Sequence, residues 1–263
     1  MEAKVSERRS VSEEILTERR GRVLVITINR PEARNAVNLA VSQGLADAVD
    51  ELDEDKDLSA AVLTGAGGNF CSGMDLKAFA AGEMVAIPGR GIGFTERPPR
   101  KPLISAVEGY ALAGGTEVVL ATDLVVASRT AKFGIPEVKR GLVAAGGGLL
   151  RLHKRIPYQK ALQLALTGES FTAEQAEAWG FVNVLTEPGE ALAGAIELAE
   201  RITANGPLAV ATTKEILVKS VGWSEDEMWK KQLEYIIPIF SSNDAKEGAV
   251  AFAEKRAPNW TGT

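Results

Sequence analysis

The sequence predicts an α/β protein whose second half is mainly helical. Up to about residue 145, short apolar runs of strand length alternate with segments whose apolar residues recur at helical spacing. Beyond that point helical spacing takes over, across 149–155, 158–166, 173–179, 190–204, 207–220, 224–237 and 244–254, with one short strand-like run at 182–185. The 263 residues, 45% hydrophobic and 25% charged, have an ordinary globular balance and enough length for a sizeable core.

In order along the chain, residues 14–17 and 23–29 read as a β-hairpin around Arg19-Arg20-Gly21-Arg22. Arg30-Pro31-Glu32-Ala33-Arg34-Asn35 reads as a loop, because proline cannot continue a strand's ladder. Residues 39–52 carry Leu45, Val49 and Leu52 at helical spacing. Residues 60–64 and 103–107 read as buried strands, Gly114-Gly115 opens a helix through Ala121, and 124–127 is a further strand. Residues 80–101 are rich in Gly and Pro without periodicity and read as a surface loop or mobile lid. No sequence repeat of fixed length stands out.

The formal net charge of -5 gives a nucleic-acid partner no global electrostatic support. One cysteine, Cys71, excludes an internal disulfide and fits a reducing, cytoplasmic compartment. One His and one Cys speak against a metal cluster of those ligands. Residues 1–10 alternate acids and bases, so neither a signal peptide nor a membrane span is expected there.

Two glycine-containing turns each follow a buried strand and precede a helix: Gly65 to Asp75 (GAGGNFCSGMD) and Gly109 to Glu117 (GYALAGGTE). Glycine permits close backbone approach, and a helix start offers unpaired N–H groups. Brought together, two such turns can hold an oxyanion between backbone donors. Such turns also arise from packing alone, and the residues by themselves leave both readings open. GxxxxGK(S/T) and GxSxG are absent, and Gly89-Arg90-Gly91-Ile92-Gly93 lacks a preceding strand, so neither a phosphate loop, a nucleophile elbow nor a dinucleotide fingerprint is supported. Glu117 and Glu137 are candidates for a paired acid and base, although a glutamate in the first turn of a helix also serves as a cap. His153 reads as a surface or interface residue, and Cys71 as a small buried apolar group with no base beside it.

The order and spacing of NRPEARNA (29–36), GAGGNFCSGMDL (65–76), VEGYALAGGTE (107–117), KFGIPEVKRGL (132–142) and AFAEKRAPNW (251–260) resemble the crotonase (enoyl-CoA hydratase/isomerase) family over nearly the whole chain. The resemblance implies a spiral of ββα units over 1–200, followed by a helical trimerisation region over 201–263. A trimer or dimer of trimers is then expected.

The resemblance also implies a thioester carbonyl held by the backbone N–H groups of Ser72 and Gly114, with Glu117 and Glu137 as the catalytic carboxylates. CoA would be lined by Ala33, Arg34, Cys71, Gly73, Met74, Asp75, Lys77 and Lys255, although Arg34 and Lys255 read equally as solvated charges. Keeping both glutamates points to a hydratase that adds water to a 2-enoyl-CoA, with CoA part of the substrate and neither cofactor nor metal required. The alternatives are a Δ3,Δ2-enoyl-CoA isomerase, which often relies on one carboxylate nearer Glu137, and a crotonase-fold protein that binds acyl-CoA or RNA without turnover. Where family hydratases often carry Ile-Pro-Gly-Ala-Gly-Gly, this chain reads Val143-Ala144-Ala145-Gly146-Gly147-Gly148. The segment keeps a backbone N–H for the reacting water in an altered pocket.

Overall fold

The computed structural model describes residues 8–10 and 13–263, so the expectation for the extreme N-terminus falls largely outside the described residues. Elsewhere, no described helix is long and apolar enough to cross a membrane.

The hairpin forms as the alternation predicts. β2 (Ile15–Arg20) pairs antiparallel with β3 (Val23–Ile28), Arg20 lies opposite Val23, and Gly21 takes the left-handed turn conformation at φ 59. A short β1 (Arg8–Ser10) adds to β2 on the far edge. From β3 onward the pairing is parallel, through β4 (Ala60–Gly65), β5 (Leu103–Val107), β7 (Leu124–Ser128) and β10 (Val184–Thr186). A parallel sheet needs crossovers that cover both faces, which is why these strands read as continuous apolar runs. Alternate residues divide between the faces. Val23, Val25, Ala60, Val62, Ile104 and Ala106 pack against α7 (Ala191–Thr203) through Ala195, Ile196 and Ala199. Leu24, Ile26, Ile28, Ala61 and Leu63 join the opposite core, to which α1 (Leu39–Glu54) contributes Val41, Leu45, Ala48, Val49 and Leu52.

A second, smaller sheet was not predicted. It joins β6 (Tyr110–Leu112), β8 (Lys132–Gly134) and β9 (Ser170–Thr172). Each has three residues, too few for a period to register. Isolated bridges extend this ladder from Ala111 to Cys71 and from Met74 to Val37. Each long strand thus passes into a short strand or bridge and then toward a helix: α1, α2 (Leu76–Ala80), α3 (Gly114–Leu120) or α4 (Gly148–Arg155). This is the expected ββα spiral. It leaves no trace as a sequence repeat because its long strands begin at the unequal spacings Val23, Ala60, Leu103 and Leu124.

The later helices follow the predicted spans closely: α5 (Tyr158–Thr167), α6 (Ala173–Ala178), α8 (Pro207–Ser220), α9 (Glu225–Phe240) and α10 (Asn243–Glu254). α9 overruns its predicted end by passing through Pro238, an exposed position where one missing backbone hydrogen bond is tolerated.

The expectation of a surface loop or mobile lid across 80–101 is corrected at its centre. Residues 91–95 are buried, and Ile92 is 5% exposed. Arg90 pins this stretch to α1 by bonds to Asp50 Oδ1 (3.0 Å) and the Ala46 carbonyl (3.0 Å). Absent periodicity identified irregular backbone and said nothing about its burial.

The Arg30–Asn35 loop is fixed by one buried side chain. Asn35 Nδ2 donates to the carbonyls of Ala66 (2.8 Å) and Asn69 (2.7 Å), and its Oδ1 accepts from Arg30 N–H (2.9 Å). Asn35→Ala leaves these three partners unsatisfied at about 1–3 kcal/mol each, so we expect at least about 3 kcal/mol lost in urea denaturation. A loss below about 1 kcal/mol would show that water replaces the amide.

Candidate active site

After β4 the chain returns to β6: Cys71 N–H donates to the Tyr110 carbonyl (2.9 Å), and Leu112 N–H to that of Cys71 (3.0 Å). This lays residues 71–75 against the start of α3, as the two glycine turns predict. The approach is close enough to require glycine. A Cβ on Gly115 would fall 2.2 Å from the Cys71 carbonyl oxygen, and one on Gly73 (φ +102) 2.7 Å from Ala113 Cβ.

Within this contact the expected Ser72 donor is corrected. Ser72 N–H is committed to the Arg34 carbonyl at 3.0 Å. Gly73 N–H faces Cys71 Sγ at 3.4 Å, and Asp75 N–H donates to the Val37 carbonyl at 2.8 Å. Within 71–75, Met74 is the residue whose N–H has no protein acceptor among the described residues. In a parallel bridge the flanking residues do the bonding, here Gly73 and Asp75 to Val37, which turns the Met74 N–H to the opposite side. There it meets α3: a Cβ on Gly114 would sit 3.6 Å from Met74 nitrogen. Gly114, as the first residue of α3, also has an N–H without an acceptor among the described residues. Ala113, just before it, holds φ 51 and ψ −125, a conformation costly for a residue with a side chain. It is kept there by its N–H bond to the Gly134 carbonyl (2.8 Å) and by Glu117 N–H on its own carbonyl (3.1 Å).

Glu117 is not a helix cap. Ala113 is the cap residue, and Glu117, only 3% exposed, turns its side chain to another element, accepting from Gly148 N–H at 2.9 Å. Gly146 N–H also faces this carboxylate and favours its charged form. These glycines have no room for side chains: a Cβ on Gly146 would lie 2.8 Å from Glu117 Oε2, and one on Gly148 3.0 Å from Cγ. Gly148 N–H is therefore spent on Glu117, while Ala145 N–H in the same segment has no acceptor among the described residues and is left for the expected contact with water.

Glu137 follows β8 in a 3-10 turn (Pro136–Arg140), half-buried, and its Oε2 is buried without a partner among the described residues. Burial pushes both carboxyls above their usual range. The charge of Glu117 raises Glu137 further, which puts the two within electrostatic reach. The backbone N–H groups of Gly148 and Gly146, and then Arg151, oppose the rise at Glu117. The side chain of Ile92 closes one wall: its Cδ1 stands 3.1 Å and 3.0 Å from where Cβ atoms on Gly114 and Gly146 would be.

The other predicted residues divide. Ala33 and Arg34 lie beside the turn, their carbonyls accepting from Ser72 Oγ (3.4 Å) and N–H, and Arg34 has the left-handed φ of 50. Asp75 caps α2 through Lys77 and Ala78 N–H and pairs with Arg30 Nη2 at 3.1 Å. These bonds hold its carboxyl below the usual range, the Ala78 N–H foremost. Lys77 is exposed on α2, and Lys255 is exposed at the end of α10, where it does not join the site within this chain. Burial pushes the Cys71 thiol up to about 12, so it is no nucleophile, and His153 is exposed, its ring set against the Leu149 carbonyl at 3.1 Å. Among the described residues no three His, Cys, Asp or Glu side chains group as a metal site.

Sequence reasoning placed Met74 only along CoA and missed its free N–H, and it missed Asn35, Ile92 and Arg151 altogether. Met74 acts through its backbone, and nothing in its side chain could mark it.

The pattern of the enoyl-CoA hydratase/isomerase family matches residues 18–263. A solved enoyl-CoA hydratase, EchA1 from Mycobacterium marinum, is 68% identical with a TM-score of 0.95, covering 96% of this chain and 100% of that one. Enoyl-CoA hydratase EchA19 of Mycobacterium tuberculosis is 45% identical over 93% of this chain and 95% of its own. Carnitinyl-CoA dehydratase of Salmonella arizonae is 41% identical over 96% and 100%. With the ββα spiral and the paired carboxylates already in view, the chain belongs to the enoyl-CoA hydratase/isomerase family.

Proposed function

We propose that this protein is an enoyl-CoA hydratase, a carbon–oxygen lyase that adds water reversibly to a 2-enoyl-CoA thioester. The observation that carries the reading is the pair of buried, mutually repelling carboxylates, one with an oxygen that has no partner among the described residues, set in the same site as two backbone N–H groups without acceptors among those residues. Relatives whose names specify hydratase or dehydratase support it.

In this reading the thioester oxygen sits between Met74 N–H and Gly114 N–H, at the positive end of α3. Glu117 and Glu137 hold one water. One carboxylate takes its proton as the oxygen bonds C3, the C2=C3 electrons shift into an enolate held by the two N–H groups, and the other carboxyl delivers a proton to C2. We assign the C2 proton to Glu137. Buried carboxyls that repel one another favour sharing one proton, which supplies an acid and a base together. CoA enters as part of the substrate, along Ala33, Arg34 and 71–75, with Lys77 as a phosphate candidate.

We also propose that 1–200 form the catalytic unit and 201–263 an oligomerisation region giving a trimer or a dimer of trimers. α8 and α9 bury no residue, and Leu217, Val221, Trp229, Ile237, Phe240 and Phe252 are exposed. Lys255 of a neighbouring copy would then reach CoA. A single buried cysteine agrees with a cytoplasmic location. Sedimentation equilibrium should give a mass of three or six chains; an active monomer at micromolar concentration would overturn the proposal.

Turnover should depend on Gly114 and not on the Ser72 hydroxyl. In Gly114→Ala the methyl lies 3.6 Å from Met74 nitrogen and displaces the oxygen from its donors. The expected loss in kcat/KM is about 10²-fold, against less than about threefold for Ser72→Ala. Equal losses would give the Ser72 hydroxyl a chemical role and defeat this mechanism.

Glu117→Gln and Glu137→Gln should each lower crotonyl-CoA hydration about 10²–10⁴-fold, with the double variant little worse than the poorer single. Removing the Glu117 charge should let the remaining carboxyl titrate at a lower pH than in the wild type, since that charge raises it. Product mass decides the reaction: a gain of one water is hydration, and an unchanged mass with a moved double bond is isomerisation. Near wild-type hydration by Glu117→Gln would defeat the paired-carboxylate mechanism.

A further inference from the structure

We infer that Arg151 is a positioning residue for this site: its guanidinium ties the buried 91–95 segment to the helix start that holds Glu117, and presents its positive charge to that carboxylate. The inference rests on the hydratase reading.

Arg151 lies in the first turn of α4, its N–H on the Gly147 carbonyl at 3.1 Å. The side chain folds back over that turn, so a Cβ on Gly147 would fall 2.1 Å from Nη1. Nη2 donates to the Thr95 carbonyl at 2.5 Å. Thr95 is buried, and its hydroxyl accepts from Ile92 N–H at 3.0 Å. One guanidinium thus bears both on the glycine turn whose N–H groups grip Glu117 and on the segment that sets Ile92 against the reacting space.

A purely structural strap would not need a charge. Taking a guanidinium out of water is costly unless a partner offsets it. Among the described residues no carboxylate forms a direct ion pair with Arg151. Burial depresses its basicity, and the carboxylate that opposes this is Glu117. The groups acting on Glu117 are the N–H groups of Gly148 and Gly146, Arg151 from α4, and Glu137 from the 3-10 turn. Arg140 acts on Glu137, and Arg155 on Arg151. Arg151 is therefore the cation that acts directly on Glu117, against the like charge of Glu137.

The test compares wild type, Arg151→Gln and Arg151→Lys in crotonyl-CoA hydration across pH. Alongside it runs carbon-13 NMR of the glutamate carboxyls, the Glu117 signal being assigned by its loss in Glu117→Gln. Arg151→Gln should lower kcat about tenfold or more while KM moves less than about threefold, and Glu117 should titrate at a higher pH than in the wild type. Arg151→Lys should restore the titration, because it keeps the charge. It should leave kcat reduced, because an ammonium group cannot reach Gly147 and Thr95 together. The inference is overturned if folded Arg151→Gln keeps wild-type kcat, if its Glu117 titration stays in place while kcat falls with melting temperature, or if lysine displaces the titration as far as glutamine does. Should Arg151→Gln fail to fold, Arg151→Lys decides. A wild-type titration with reduced kcat supports the inference, and wild-type kcat or a displaced titration overturns it. If the wild type hydrates no enoyl-CoA, the hydratase reading fails instead, and the NMR titration still decides whether Arg151 acts on Glu117.

Discussion

The structure depends on one close approach, the backbone of residues 71–74 against the first turn of α3. The Cys71 carbonyl occupies the space where Gly115 would otherwise carry a side chain. Because that contact is between main chains, two ends of different ββα units are held at a separation that rotamers do not set. The Met74 and Gly114 N–H groups face the same space as a consequence, and Glu117 projects from the following turn of the same helix. Arg34 and Val37 bond into this contact from the preceding unit, through Ser72 N–H and the Gly73–Asp75 bridge, and Asn35 fixes the approach to it at Ala66 and Asn69, so three successive turns of the spiral share one anchor.

Around that anchor, the charge arrangement is unusual for a buried site. Two carboxyls stand within electrostatic reach of each other, away from water. Arg151 acts on Glu117 and Arg140 on Glu137, and among the described residues neither glutamate forms a direct ion pair. A fully paired glutamate would be stabilised as an anion and would give up its role as a proton donor. Here the bonds to Glu117 come mainly from backbone amides, which orient the group and leave its proton affinity governed by burial. The orphaned Oε2 of Glu137 fits the same pattern, since an acceptor left unsatisfied in the resting protein is open to a reactant.

Much of this was legible in the sequence, and the gaps have physical reasons. The long strands and the helices announced themselves, because each buries a face and so prints a period, as Leu45, Val49 and Leu52 do in α1. The strands at 110–112, 132–134 and 170–172 did not, being too short to alternate. Glu117 and Glu137 were found because their side chains do the proposed work, and Gly114 because the start of a helix is marked by its glycines. The donor at 72 was misplaced by two residues. Which amide stays free is decided by the side of a parallel bridge it faces, a matter of pairing between residues far apart in sequence. The 91–95 segment was misjudged for a related reason: Ile92 and Phe94 join the main core, and the arginines that pin the segment there, at 90 and 151, look no different in sequence from solvated charges.

That the two donors belong to the main chain has an evolutionary consequence. An amide N–H survives every substitution except proline, so the residue at 74 is free to vary in size and polarity without losing its part in the chemistry. Nothing comparable protects Ile92, whose side chain itself forms the wall. The fold therefore separates what must stay fixed from what can drift. A lineage built on this spiral can explore new acyl groups by single changes at Ile92 and along 143–145, with the electrophile's binding site carried along unaltered beneath them.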